Sequence, residues 1–383
     1  MKLIRPTFVA LDSALLGNWY GDRLASDPAR RDPCQRFEAY LADSGSVIVL
    51  TAHHLIELLG VKRELAEARL KFIASMPLIG WPHPFGTSGL PGGVTDILSH
   101  EIEAAMLHDT AIGVRDHVRS HLFELGPGVG SVALLRQHLD FFQRLAAREA
   151  EEHRQNVALT RSVPAQGVDV TLRELKERHF KGPAAQASAY AAMRRDLTEE
   201  VEARKDKKLE APAAEVADWF MDHVERRAPS ASQNIIETLC AHLAAMDVDI
   251  DELGPDVKMA DLVDLGTFRQ RLRVVSENLP HLPWARIRER ATQDRLPSAL
   301  VDKGLRRFAQ DQPERRGSEI PDRHIAPIAC YADLTFVDRR TQSDLMTVRR
   351  KMPHLAPLLR ATKKNSGWDA VIDGIKTVCD EGA

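Results

Sequence analysis

The chain has 383 residues, 44% of them hydrophobic and 28% charged, with a formal net charge of -3, as expected of a soluble globular protein large enough for two or three structural units. No apolar run approaches the roughly 18 residues of a membrane span. The four dispersed cysteines, Cys34, Cys240, Cys330 and Cys379, form no C-x-x-C pair, which disfavours a cysteine-built zinc site and points to a reducing, cytoplasmic setting.

The N-terminal stretch MKLIRPTFVALDS carries no signal-peptide cleavage pattern. Within it, TFVALD (7–12) is a short apolar run closed by Asp12 and reads as a strand. A polar loop is expected next, then a helix at about 34–43. SVIVLT (46–51), rich in β-branched residues, reads as a second strand apolar on both faces, as a buried parallel strand must be. AHHLIELLGVKRELAEARLKFIASM follows with a strong helical pattern, so the chain opens as a repeated βα unit.

Residues 77–95 are dense in Pro and Gly and read as loop. From about 96 to 312 the apolar spacing of three and four residues predicts helix almost throughout. TLRE (171–174) fits a capping box opening one of these helices, and 202–215 reads as a solvated turn or linker. LGPGVG (125–130) lacks the Lys-Ser/Thr of a phosphate loop and reads as an interhelix turn. Residues 321–331 predict a helix with Asp322 near its start, and LTFVD (334–338) a third strand closed by Asp338. The implied organisation is an α/β parallel-sheet domain interrupted in sequence: a first part at 1–76, a large all-α insertion at 77–312, and a second part at 313–383 that includes a C-terminal tail.

In an open parallel sheet, ligands bind beyond the carboxyl ends of the strands. Asp12 and Asp338 end strands, Glu57 lies six residues past Thr51, and Asp322 sits near a helix start, so four acids are candidates to meet at one edge. Gathered acids need cations, and hard carboxylate oxygens suit Mg²⁺ or Mn²⁺. The segment from Lys303 to Lys364 holds fourteen Lys or Arg against seven Asp or Glu, a local +7 on a remainder of -10. Arg339, Arg340, Arg349, Arg350 and Lys351 within it are candidates to hold phosphates.

FVALDS, VIVLTAHHLIELL, GSEIPDRHIAPIACYAD and LTFVDRRT together resemble a PIN-like nuclease domain. That family pairs an early strand ending in Asp with a second strand followed by a Glu-bearing helix. A later Asp opens a helix, and a final strand ends in Asp. The resemblance covers about 120 residues, and the long helical segment between Glu57 and Asp322 departs from compact members. It implies metal-dependent hydrolysis of RNA ahead of DNA, with Asp12, Glu57, Asp322 and Asp338 as metal ligands and catalytic groups, and Arg339, Arg340 and Thr341 as substrate contacts. A role as a toxin or defence effector, and a helical insertion that binds a protein partner or a second copy, are expected by the same analogy. Asp333, Asp344, His53 and His54 are weaker candidates near the site. The alternative is a non-catalytic helical interaction or nucleic-acid-binding protein whose acids are helix caps. Arg115 and His121 also match the Arg-to-His spacing of HEPN ribonucleases, a spacing common in helix-rich chains.

Overall fold

The computed structural model describes residues 5–85, 89–160, 170–177, 182–204, 212–227, 240–241, 243–249, 253–308 and 325–382. The chain is α/β and divides into two compact units. The first comprises Met1–Arg148, Val275–Pro313 and Ser318–Ala383; the second comprises Glu149–Val274 and Glu314–Gly317. The helical unit is therefore shorter than the expected 77–312, because residues 77–148 and 275–313 belong with the sheet.

In the first unit, β1 (Phe8–Leu11) leads through α1 (Ser13–Arg23) and α2 (Pro28–Ser44) to β2 (Val47–Val49). The polar loop expected before residue 34 is thus mostly helix. Asp12 caps α1 by accepting from the Leu15 amide at 2.6 Å, and Asp27 caps α2 with Pro28 at its first position. Pro33 lies inside α2; it removes one backbone bond near the helix start without ending the helix.

After β2 come α3 (Ala52–Leu59) and α4 (Arg63–Ala74), separated at Gly60, then β3 (Ile79–Pro82). β3 lies in the segment expected to be loop. Gly80 lets that strand pass beneath Phe8, whose ring would sit 3.3 Å from a Cβ there. The chain continues through α5 (Val94–Ala105) and α6 (Ala111–Arg119) to β4 (Phe123–Gly126), α7 (Gly128–Gln137) and α8 (Leu139–Thr160). The expected interhelix turn at 125–130 therefore begins in a strand. A Cβ on Gly128 would meet the Ile73 carbonyl oxygen at 2.0 Å, so only glycine lets α7 start so close to the end of α4.

The second unit is helical. It holds α9 (Leu172–Glu177), α10 (Gly182–Arg204), α11 (Ala213–Arg227) and most of α12 (Met259–Ser276). The expected capping box is present: the Thr171 amide donates to Glu174 Oε2 at 2.9 Å, and the Glu174 amide donates to Thr171 Oγ1 at 3.2 Å. Leu172, Leu243, Val248 and Leu262 form one small core, and Leu197, Ala217 and Met221 another.

Back in the first unit, α13 (Trp284–Arg290) and α14 (Pro297–Phe308) precede a 3₁₀ turn, Ala326–Cys330, in the segment expected as helix. β5 (Leu334–Val337), α15 (Arg339–Lys351), β6 (Ala361–Lys364) and α16 (Trp368–Gly382) complete it. The sheet order is β4-β3-β2-β1-β5-β6, parallel except for β4. β1 and β5 are buried along their whole length between helical layers. Val9, Leu11, Leu334 and Phe336 join a core with Leu15, Trp19, Phe37, Leu55, Ile73 and Val371. No described helix is long and apolar enough to cross a membrane. The four cysteines are unbridged, and Cys34 and Cys330 are buried.

Glu101 of α5 is fully buried beneath the start of α14. It accepts from the Ser298 amide at 2.8 Å and its hydroxyl at 2.6 Å, and from the Tyr331 hydroxyl. Burial outweighs these bonds and pushes its carboxyl up to about 7. The folded protein therefore holds this proton more tightly than the unfolded chain. The resulting stability is fully present below the ordinary value of 4.5 and is lost as pH rises through about 7. Urea midpoints should fall between pH 5 and pH 8, by on the order of 2–3 kcal/mol, and Glu101→Gln should flatten that dependence.

Candidate active site at the carboxyl edge of the sheet

From β1 the chain steps outward on one side through β2, β3 and β4, then returns to place β5 on the other side of β1. The carboxyl ends of β1 and β5 therefore flank the switch point, where open α/β sheets take ligands. The register pairs Leu11 with Phe336, and the Asp12 amide donates to the Phe336 carbonyl at 3.0 Å. Asp338 follows two residues later, so the fold carries Asp12 and Asp338 to the same edge of neighbouring strands.

Both acids also begin helices. Asp12 Oδ1 accepts from the Leu15 amide and Asp338 Oδ1 from the Thr341 amide, each at 2.6 Å. Among the described residues no hydrogen bond engages Oδ2 of either. Asp12 is only 6% exposed. Burial pushes its carboxyl up to about 6 against the Leu15 bond, and the charges of Asp338 and Glu57 push the same way.

Glu57 joins them from α3. Burial acts to raise its carboxyl, but hydrogen bonds from His53 and Ser13 and the charges of His53 and His54 outweigh it, leaving it below its ordinary value. The bond from Ser13 ties Glu57 to the residue next to Asp12. His53, one turn back on α3, reaches Glu57 Oε1 at 3.3 Å.

His54 is a buried structural link. The Thr51 amide donates to its Nδ1 at 3.0 Å, which fixes the proton on Nε2, and the Leu11 backbone is its other hydrogen-bond partner. Burial, then the neighbouring His53, pushes His54 down to about 4, with Glu57 and the Leu11 bond opposing. This neutral ring ties the end of β2 to the end of β1 and so helps aim Asp12. The cue in sequence was Thr51 followed three residues later by a side chain able to bond back, a capping box closed by histidine.

Among the substrate candidates, Arg339 is exposed and Arg340 half-buried in the first turn of α15, beside Asp338; Thr341 is buried there. Asp344 is also buried on α15. The rest of the expected basic run is elsewhere. Arg349 donates to the Leu359 carbonyl at 3.3 Å and the Arg360 carbonyl at 2.6 Å. Arg350 and Lys351 are exposed at the far end of the helix, about 16 Å along its axis from Arg339. Asp322 lies outside the described residues.

Asp333 marks the opposite edge. Its amide donates to the Phe8 carbonyl at 2.8 Å, its Oδ2 accepts from the Phe8 amide at 2.9 Å, and it pairs with Arg119 and Arg360. It belongs to the amino end of β5 and clamps the two strands rather than serving the site. Arg115 is engaged with Asp116 and the Pro357 carbonyl.

No protein-family model, curated protein or solved structure matches the chain. Among the described residues no group of three or more His, Cys, Asp or Glu is drawn closely enough together to hold a metal ion. Asp338 and Glu57 are each close enough to Asp12 for their charges to act on it, without the three being closed into a cage. Their donors are hard oxygens with spare lone pairs, a chemistry that fits Mg²⁺ or Mn²⁺ with several waters retained.

The raised Asp12 carboxyl is a stability cost. The stability linked to its proton is fully present below 3.8 and lost as pH rises through about 6, so the cost falls above that pH. Asn caps a helix as well as Asp does. Asp12→Asn should therefore stabilise the protein at pH 8, by on the order of 1–3 kcal/mol in chemical denaturation, and remove the pH dependence in that window. Equal stability of the two proteins at pH 8 would mean that the Asp12 carboxyl is not raised.

Proposed function

We propose that the chain is a metal-dependent nuclease of PIN-like fold that hydrolyses phosphodiester bonds, RNA ahead of DNA. The observation that carries this reading is that three separate elements bring Asp338 and Glu57 near enough to Asp12 for their charges to act on its carboxyl, at the switch point of the sheet. Helix capping alone accounts for one oxygen of each aspartate. It gives no reason to gather the acids at one edge. A divalent cation does, and so does the phosphate-binding basic flank beside it.

In this reading Asp12, Glu57, Asp338 and Asp322 hold one or two ions of Mg²⁺ or Mn²⁺. A bound ion supplies charge neutralisation and Lewis-acid polarisation of a phosphoryl oxygen. His53 and Ser13 keep Glu57 charged, and His54 keeps the β1 end in register with β2. Arg339, with Arg340 and Thr341 beside it, contacts backbone phosphates next to the bond to be cut. The helical unit selects the substrate or binds a protein partner, and toxin or defence activity is the biological setting by family analogy.

Labelled RNA and DNA incubated with Mn²⁺ or with EDTA test this reading. Wild type should cut with the metal, and Asp12→Asn and Asp338→Asn should each lose about 100-fold or more. Asp322→Asn should do the same. Arg339→Ala should weaken binding to all sequences and lower the salt slope by about 1. Cleavage that survives in the Asn variants or in chelator would refute the mechanism. The non-catalytic reading has the double use of Asp12 and Asp338 as helix caps in its favour, and it predicts a wild type that binds without cutting.

A further inference from the structure

Five of the chain's histidines form a continuous array on the sheet unit, none of them among the residues of the carboxylate site. Ring centroids are 5.9 Å apart for His83 and His100, 5.4 Å for His100 and His121, 5.2 Å for His121 and His117, and 5.0 Å for His117 and His108. They come from the end of β3, from α5 and the residues after it, and from α6 and the residues after it. At one end of the array, His108 Nε2 and His117 Nδ1 are 3.1 Å apart. At the other, His100 faces the His83 carbonyl through Nε2 at 3.0 Å, while its buried Nδ1 has no hydrogen-bond partner.

Packing alone does not favour gathering imidazoles, since protonated rings at this spacing repel. Burial, followed by the charges of His121 and His108, pushes His117 down, against a smaller pull from Glu103. Burial likewise pushes His100 down to about 4. Imidazole nitrogens ligate borderline divalent cations such as Zn²⁺, Ni²⁺ and Cu²⁺. With metal–nitrogen bonds of about 2.0–2.1 Å, two imidazoles on one ion hold their nitrogens roughly 3.0–3.4 Å apart and their centroids about 5 Å apart. His108 and His117 match both separations, while His121 lies 5.2 Å from His117 alone of the pair, so the three do not form a closed set of ligands as they stand. Glu103, near His117, is also paired to His281 at 3.1 Å, which brings a carboxylate and a further imidazole to the same neighbourhood.

We propose that His108 Nε2 and His117 Nδ1 are a preformed pair of ligands for a divalent cation of the Zn²⁺ class, with His121 as the third imidazole. His121 is exposed and its Nδ1 lies 3.3 Å from the Ser120 hydroxyl, so that side chain turns to make the third bond. Water fills the remaining position. The ion crosslinks the segment after α5 to the last turn of α6, and its role is structural. The site takes imidazole-seeking cations, whereas the carboxylates take hard ones, so the two sites discriminate between metals.

Isothermal titration of the full chain with Zn²⁺ and with Ni²⁺ tests the proposal. One saturable equivalent is expected, unaffected by millimolar Mg²⁺. His108→Ala and His117→Ala should each weaken it about tenfold or more, and His121→Ala less. His354→Ala, an exposed histidine outside the array, should not change it. Asp12→Asn should not change it either, so failure here is distinct from failure of the nuclease reading. Cu²⁺ electron paramagnetic resonance on wild type should show coupling to at least two nitrogens, independently of how any variant folds. Where an Ala variant loses its circular dichroism, His117→Gln keeps a hydrogen-bonding side chain and should fold without binding. Absence of a stoichiometric site in wild type, or equal affinity in the His117 and His354 variants, would overturn the proposal and leave a simple hydrogen-bonded pair.

Discussion

The parallel pairing of β1 with β5 is the contact on which the candidate site depends. Three residue pairs, Val9 with Leu334, Ala10 with Thr335 and Leu11 with Phe336, join segments 325 residues apart. Without them Asp12 and Asp338 have no reason to meet. The pairing is reinforced at its amino end, where Asp333 bonds both backbone groups of Phe8 and gathers Arg119 and Arg360. Loop-closure entropy grows only with the logarithm of length, so a folded helical unit can sit between the strands at modest cost.

Beyond that pairing, the same side chains serve folding and chemistry. One oxygen of Asp12 and one of Asp338 start helices, which fixes each carboxylate rigidly. The second oxygen of each has no hydrogen bond among the described residues. His54 adds a neutral crosslink between strand ends, and Glu57 is held by partners one turn and one strand away. The outcome is a patch of negative charge that folding alone would not favour and that the surrounding hydrogen bonds maintain.

The readable parts of this fold were those set by strong local patterns. β1, β2 and β5 stood out because each is apolar on both faces and ends in a polar residue; the Thr171–Glu174 capping box stood out from its spacing. β3 and β4 did not. Each has four residues, with Gly80 and Pro82 in β3 and Gly126 in β4, and becomes a strand only through its neighbours: Ile79 and Gly80 pair with β2 on one side and β4 on the other. α1 was missed because its polar and small residues hide the three strongly buried ones, Leu15, Leu16 and Trp19. The basic run looked continuous in sequence, but a helix separates its two ends by several turns, and Arg349 is spent on carbonyls of the following segment.

The sequence by itself determined the α/β class, the acids that end β1 and β5, and the helix that carries Glu57, because residue type and spacing act locally. Only the tertiary structure decided which acids share an edge, that Asp333 faces the other way, that residues 77–148 extend the sheet, and that five histidines line up. Those outcomes depend on strand order and on burial, which arise from contacts between distant segments and leave no period in the chain.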